Sequence, residues 1–319
     1  MSALQDRVTD LGLGGRDFLT IHDYSPGEVA GLLDLAVELK ALCTAGRDEP
    51  LLAGKAVGMI FTKTSTRTRI SFEVGIHQLG AQPLFLNAGD IQLRVGETIK
   101  DTGHVLSRYL GGIMIRTFAQ ADVVDLAASA DIPVINGLTD DHHPCQGLAD
   151  ALTVREHCGG LEGRTLVYSG DGNNVAHSLM EVGAKTGMRV VVCTPDDYRP
   201  DPDIVARARA DAVETGATIE LTSDLRTAVR GADVIYTDTF TSMGQEAEHD
   251  ARLAALSAYQ VNDALLALAG PQCRVMHCLP AHWGEEITEA ALYSPQSVVF
   301  DQAENRLHAQ KAIMAALIA

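Results

Sequence analysis

The chain has 319 residues, 46% of them hydrophobic and 21% charged, enough for roughly two domains of ordinary size, each with its own core. Its formal charge of -17 disfavours nucleic acid and anionic membranes as partners, because both demand a basic surface. No apolar run approaches the roughly 20 residues that cross a bilayer, and the opening MSALQDRVTDLGLGG lacks a hydrophobic signal core, so a soluble, unexported, cytoplasmic protein is expected.

In chain order, short apolar runs alternate with amphipathic stretches, the pattern of a parallel α/β sheet. A helix is predicted over 26–40, a strand over 56–61, a helix over 69–79 and a strand over 83–87. A helix over 98–109, a strand over 112–117, a helix over 121–130 and a strand over 133–136 complete a first series. The helical segment 146–158, ending in CGG, is expected to carry the chain into a second series. There the predicted strands are 165–169, 190–194, 218–222, 234–237 and 274–277, with helices over 176–186, 202–215 and 225–230. A last helix over 304–317, rich in Ala, Leu and Ile, is expected to pack back on the first domain. The fold class read from this alternation is α/β, two doubly wound parallel-sheet domains with helices on both faces and a cleft between them, divided as 1–150 with about 304–319, and 151–303.

Each unusual polar motif follows the carboxyl end of a predicted strand. TKTSTRTR follows 56–61, Arg116 ends the third strand, HHPCQ follows the fourth, GDGNN follows 165–169, DTFTSMG follows 234–237 and HCLP closes 274–277. In open α/β sheets ligands bind at that edge. Charge points the same way, since 55–116 holds eight cations against four anions, a local +4 that leaves -21 on the rest of the chain. Such a cationic island focuses a small anion even on an acidic protein.

The turn TKTSTRTR feeds a helix, whose free N–H groups and dipole favour an anion. Ser65, Thr66 and Thr68 add hydroxyls, and Arg67 adds a planar fork suited to phosphate oxygens. An ordinary Ser/Thr helix cap accounts for one hydroxyl, not for the series. GDGNN lacks the third glycine of G-x-G-x-x-G, and Asp171 would repel a pyrophosphate, so a dinucleotide loop is disfavoured. The six cysteines, at 43, 145, 158, 193, 273 and 278, form no C-x-x-C pair, so neither a zinc site nor a disulfide framework is suggested, and no metal is expected.

The S-T-R-T-R run resembles the carbamoyl phosphate signature of the aspartate and ornithine carbamoyltransferase family. HPCQ at 143–146 resembles the ornithine-type form of that family's second motif, HCLP at 277–280 its third, and DTFTSMG at 238–244 the D-x-x-x-S-M-G segment with which ornithine enzymes hold the amino acid. The likeness extends from GRDFLTIHDYSP to DQAENRLHAQKAI, almost the whole chain.

The resemblance implies transfer of a carbamoyl group from carbamoyl phosphate to the side-chain amine of ornithine by direct attack, with no metal and no organic cofactor. By that likeness the first domain binds carbamoyl phosphate and the second binds ornithine. It further implies that Ser65, Thr66, Arg67, Thr68 and Arg116 hold the phosphate, with Arg116 bridging to the carbonyl oxygen. His143 donates to that oxygen, Gln146 and the Leu279 carbonyl bind the carbamoyl amide, and Arg306 lies near the carbamoyl group. Asn174 and Asp238 hold the α-amino and α-carboxylate ends of ornithine, Ser242 and Met243 assist, and Cys278 orients the attacking amine. The family pattern adds a homotrimer or an assembly of trimers, in which the loop of Gln92 reaches a neighbouring subunit's site.

Two departures stand out: QLRVGET where the family reads Q-L-G-R-G-E, and Trp283 where many relatives carry Arg, for which a packing role is expected. Three rivals remain: a carbamoyltransferase for putrescine or N-acetylornithine, whose DTFTSMG region would differ; a catalytically silent scaffold, which would have lost part of Arg67, Arg116, His143 or Gln146; and a nicotinamide-dependent dehydrogenase, which needs a full glycine fingerprint.

Overall fold

The computed structural model describes residues 3–87, 89 and 96–319, and Gln92 lies outside them. Two compact units are present, one formed by residues 1–152 with 305–319 and the other by 153–304. The first holds α1 (Ala3–Asp10), α2 (Pro26–Thr44), β1 (Ala56–Phe61), α3 (Thr66–Gln78), β2 (Gln82–Asn87), α4 (Ile99–Leu106), β3 (Gly112–Arg116), α5 (Gln120–Ser129), β4 (Val134–Leu138) and the start of α6 (Pro144–Cys158). The second holds β5 (Thr165–Ser169), α7 (Asn174–Thr186), β6 (Arg189–Cys193), α8 (Pro202–Thr215), β7 (Thr218–Thr222), α9 (Leu225–Ala228), β8 (Val234–Thr237), α10 (His249–Leu256), α11 (Asp263–Ala269), β9 (Arg274–His277) and α12 (Glu289–Leu292). The last helix, α13 (Val299–Ile318), begins five residues before its predicted start, and its later part belongs to the first unit.

All strand pairs are parallel, and parallel strands covered on both faces read as continuous apolar runs. AVGMIF in β1 is buried from its second residue on, and VIYT in β8 throughout. The first sheet runs β2-β1-β3-β4 and the second β7-β6-β5-β8-β9. Each order reverses once. The chain leaves β1 for β2 on one side and returns to β3 on the other; likewise it runs from β5 out to β7 and returns to β8. The switch points therefore lie between β1 and β3 and between β5 and β8, where loops diverge and leave room for a ligand.

Local chemistry sets the helix ends around these points. Ser25 and Glu28 form a reciprocal capping box on α2, with Pro26 in its first turn. Ser65 caps α3, and its hydroxyl accepts the Thr68 N–H at 3.2 Å. Asn173 caps α7, which ends at Gly187 with φ 75 in the left-handed region. Between Ile115 and Arg116 the β3–β4 register shifts by one residue at Gly137, a bulge that re-aims the Arg116 end of the strand. Among the described residues no helix is long and apolar enough to cross a membrane.

Candidate active site

In the first unit the loops after β1 and β3 flank the switch point; Ser65 ends the first of them, Thr66, Arg67 and Thr68 form the first turn of α3, and Arg116 is the last residue of β3. Thr68 is buried, and its Oγ1 accepts from Arg116 Nη1 at 3.4 Å and from Arg306 Nη2 at 3.3 Å. Arg306, itself buried on α13, sends Nη1 to Gln146 Oε1 at 2.7 Å, and Gln146 Nε2 donates to Asp150 Oδ1 at 2.7 Å. One guanidinium thus fixes the amide of Gln146 and the hydroxyl of Thr68 together.

His143 lies at the amino end of α6 and is buried. Burial holds its pKa well below the ordinary histidine value, and the charges of Arg306, Arg116 and Arg67 push it further down. A neutral imidazole among three guanidiniums offers a hydrogen bond without adding charge. Three guanidiniums grouped around one buried ring repel one another, and a dianion relieves that repulsion. Other cations of the island are satisfied elsewhere: Lys63 pairs with Asp140 and lies over the Phe118 ring, Arg69 pairs with Glu73, and Lys55 donates to the Ile318 carbonyl. Cys145 is buried with its thiol pKa pushed up to about 12, and it donates to the Asn136 carbonyl at 3.4 Å, as expected of scaffolding.

The loops after β5 and β8 flank the switch point of the second unit. Asp238 is buried directly after β8 and holds two partners: Cys278 Sγ donates to Oδ1 at 2.9 Å, and Asn173 Nδ2 donates to Oδ2 at 2.8 Å. Asn173 Oδ1 accepts the Val175 and Ala176 N–H groups at 3.0 and 3.3 Å and the Tyr168 hydroxyl at 3.2 Å. One asparagine side chain therefore caps α7 and aligns the carboxylate. Asn174 is half-buried as the first residue of α7, and the contact to Asp238 is made by its neighbour.

The Ser242 N–H donates to Gln245 Oε1 at 3.1 Å, and the Met243 side chain is exposed. After β9, His277 Nδ1 accepts the Leu279 N–H at 2.8 Å while Nε2 lies 3.0 Å from Glu286 Oε1. That pairing makes Nε2 the protonated nitrogen. Leu279 has φ 59, a conformation uncommon without glycine, so the HCLP turn is held by its surroundings.

Among the described residues, two groups of side chains could hold a metal ion by proximity, Asp238 with His277 and Cys278, and His282 with Glu285 and Glu286. In the first, every donor already serves a hydrogen bond within the protein. Trp283 is more than half exposed, and its indole meets the Tyr293 ring edge-on at 6.0 Å. Arg252, Asn173, Asp171 and the His277–Glu286 pair were not singled out as site groups by motif reading. Their partners are distant in sequence, and only the GDGNN and HCLP strings pointed near them.

Residues 16–156 match the family model described as aspartate/ornithine carbamoyltransferase, carbamoyl-P binding domain, and residues 162–317 match the corresponding Asp/Orn binding domain. The chain is 57% identical over 308 residues to the ornithine carbamoyltransferase of Symbiobacterium thermophilum, covering 96% of this chain and 99% of the relative. The solved ornithine carbamoyltransferase of Pyrococcus furiosus superposes with a TM-score of 0.93 at 52% identity, over 96% of this chain and 98% of that one. That of Gloeobacter violaceus gives 0.85 at 46% identity, over 95% and 98%. With both domain models matched along nearly its full length, the chain belongs to the aspartate/ornithine carbamoyltransferase family.

Proposed function

We propose that the protein transfers the carbamoyl group of carbamoyl phosphate to the side-chain amine of L-ornithine, releasing L-citrulline and phosphate. The observation that carries this reading is the pair of half-sites at the two switch points: Arg67, Arg116 and Arg306 around a neutral His143 in one unit, and Asp238 held by Asn173 and Cys278 in the other. Relatives named ornithine carbamoyltransferase, and a DTFTSMG segment without alteration, favour ornithine over putrescine or N-acetylornithine as acceptor.

In this reading Ser65, Thr66, Arg67, Thr68 and Arg116 cradle the phosphate, and Gln92 joins them from a neighbouring subunit. His143, Arg116 and Arg306 face the carbonyl oxygen as it gains negative charge, where preorganised donors stabilise most. Gln146 and the Leu279 carbonyl orient the carbamoyl amide. Asp238, Asn174, Ser242 and Met243 hold the amino acid, and Cys278 directs its neutral side-chain amine at the carbonyl carbon. The amine lone pair forms the new C–N bond, the C–O bond to phosphate breaks, and the proton released by nitrogen leaves with phosphate. No covalent enzyme intermediate is needed.

The same reading makes the protein a cytoplasmic enzyme of arginine metabolism and a homotrimer. Exposed apolar side chains on the first unit, Ile70 and Val74 of α3 and Leu84 and Phe85 of the edge strand β2, favour association of copies. Sedimentation velocity tests it, and a monomer at micromolar concentration overturns it.

The function is tested by following product formation from carbamoyl phosphate with ornithine, putrescine, N-acetylornithine and aspartate in parallel. Turnover with ornithine alone is expected. Turnover with a different amine keeps the phosphate half and overturns the acceptor half, and carbamoyl phosphate binding without turnover indicates a silent relative.

A further inference from the structure

Arg252 sits on α10, outside every motif of the family pattern, and is only 6% exposed. Its Nε donates to the Phe240 carbonyl at 2.7 Å, Nη2 pairs with Asp171, and Nη1 lies 3.4 Å from Glu248 Oε2. Its guanidinium also lies over the Tyr198 ring, 5.0 Å from the centroid. These partners come from three loops at one sheet edge. Asp171 follows β5 and precedes Asn173; Tyr198 follows β6; Phe240 follows β8, between Asp238 and Ser242. The loops are also joined directly, since the Gly172 N–H donates to the Tyr198 carbonyl at 2.8 Å and the Phe240 ring packs against Gly170.

We propose that Arg252 is a positioning residue for the amino-acid half-site: by tying the Phe240 carbonyl to Asp171 it sets the distance between the loop of Ser242 and Met243 and the loop of Asn173. The inference rests on the function proposed above and deepens it. A planar guanidinium can serve both partners at once because its Nε and Nη2 donors are fixed side by side in one plane, which an ammonium cannot reproduce. With the tie cut, Phe240 keeps its buried ring but loses the donor to its carbonyl, and the segment from Asp238 to Ser242 relaxes. Asp238 would keep Asn173 and Cys278, so the loss falls on where Ser242 and Met243 meet the substrate.

The decisive variant removes both members of the buried pair, Asp171→Asn with Arg252→Met, so that no uncompensated charge is left inside. Arg252→Lys is the second variant, keeping a cation without the fork. In both, KM for ornithine is expected to rise between about tenfold and a hundredfold, the range in which a small misplacement costs rate. The dissociation constant of carbamoyl phosphate, measured by calorimetry, is expected to stay within about twofold of wild type. A merely structural role would lower stability and both affinities together. An active wild type whose double variant keeps its ornithine KM, or loses carbamoyl phosphate affinity equally, overturns the assignment of Arg252 alone. A wild type that makes no citrulline overturns the acceptor reading, and this proposal with it.

Discussion

At the scale of single residues, Asp238 is the most constrained group of the amino-acid half-site, because both carboxylate oxygens already accept a hydrogen bond, one from Cys278 and one from Asn173. Asp238→Asn turns one acceptor into a donor facing a donor, so about 1–3 kcal/mol of local interaction is lost. We expect ornithine KM to rise at least tenfold with carbamoyl phosphate binding unchanged; equal loss of both, measured by calorimetry, would mark the residue as structural. Arg67→Ala should act in the other half, weakening carbamoyl phosphate and lowering kcat, and near-normal kinetics would remove the phosphate cradle from this account. The loop holding these asparagines was legible in GDGNN, but which asparagine meets Asp238 was not. A helix start predicted at 176 hides that α7 begins at Asn174, which makes Asn173 the cap whose side chain turns back over the loop. Arg306 was placed by family likeness alone, since its partner Gln146 lies 160 positions away and periodicity carries no such information.

At the scale of elements, the strands were the most legible part, because a parallel strand buried on both faces must be an unbroken apolar run. Four of the second sheet's five, β5, β7, β8 and β9, coincide with their predicted bounds. The short helices α10, α11 and α12 were not predicted, since four to eight residues give too few turns for an apolar stripe to repeat. Arg252 was missed with α10. Loop spacing sets a further limit that sequence does not display: a Cβ at Gly172 would lie 2.3 Å from Pro200 N and 2.6 Å from Arg199 C, both backbone atoms. Neither can give way by rotating a side chain, so Gly172→Ala must push the β5–α7 loop away from the β6–α8 loop. We expect a loss of about 1–3 kcal/mol in stability, typical of overpacking, together with weakened ornithine binding and intact phosphate binding. Denaturant unfolding and calorimetry check it, and an unchanged ornithine affinity would show that the loop absorbs the methyl group.

At the scale of the whole molecule, an acidic chain groups three arginines, Arg67, Arg116 and Arg306, around one buried imidazole, and burial and their charges together disfavour protonation of His143. Its folded pKa lies well below the ordinary value, so between the two values the unfolded chain binds a proton that the folded chain refuses. Stability from this group is therefore complete above about pH 6.5, the ordinary histidine value, and is lost as pH falls below it, by at most about 1.4 kcal/mol for each pH unit. Asp171 works in the opposite sense: burial lifts its carboxyl pKa to about 6 against the pull of Arg252, so its ionisation weakens the fold as pH rises from about 4 to about 6. The two can be separated by variant. His143→Gln stays neutral throughout, so between pH 7.5 and 5.5 the wild type should lose several degrees of Tm more than the variant does. Phosphate should narrow that gap, because a dianion beside Arg67, Arg116 and Arg306 offsets their field and lets the imidazole take its proton nearer the ordinary pH. Scanning calorimetry of both proteins with and without saturating phosphate decides it. Parallel pH slopes without phosphate would mean that neither burial nor the three arginines hold the His143 pKa down, and a gap that phosphate leaves unchanged would mean that burial alone sets it or that the anion binds elsewhere.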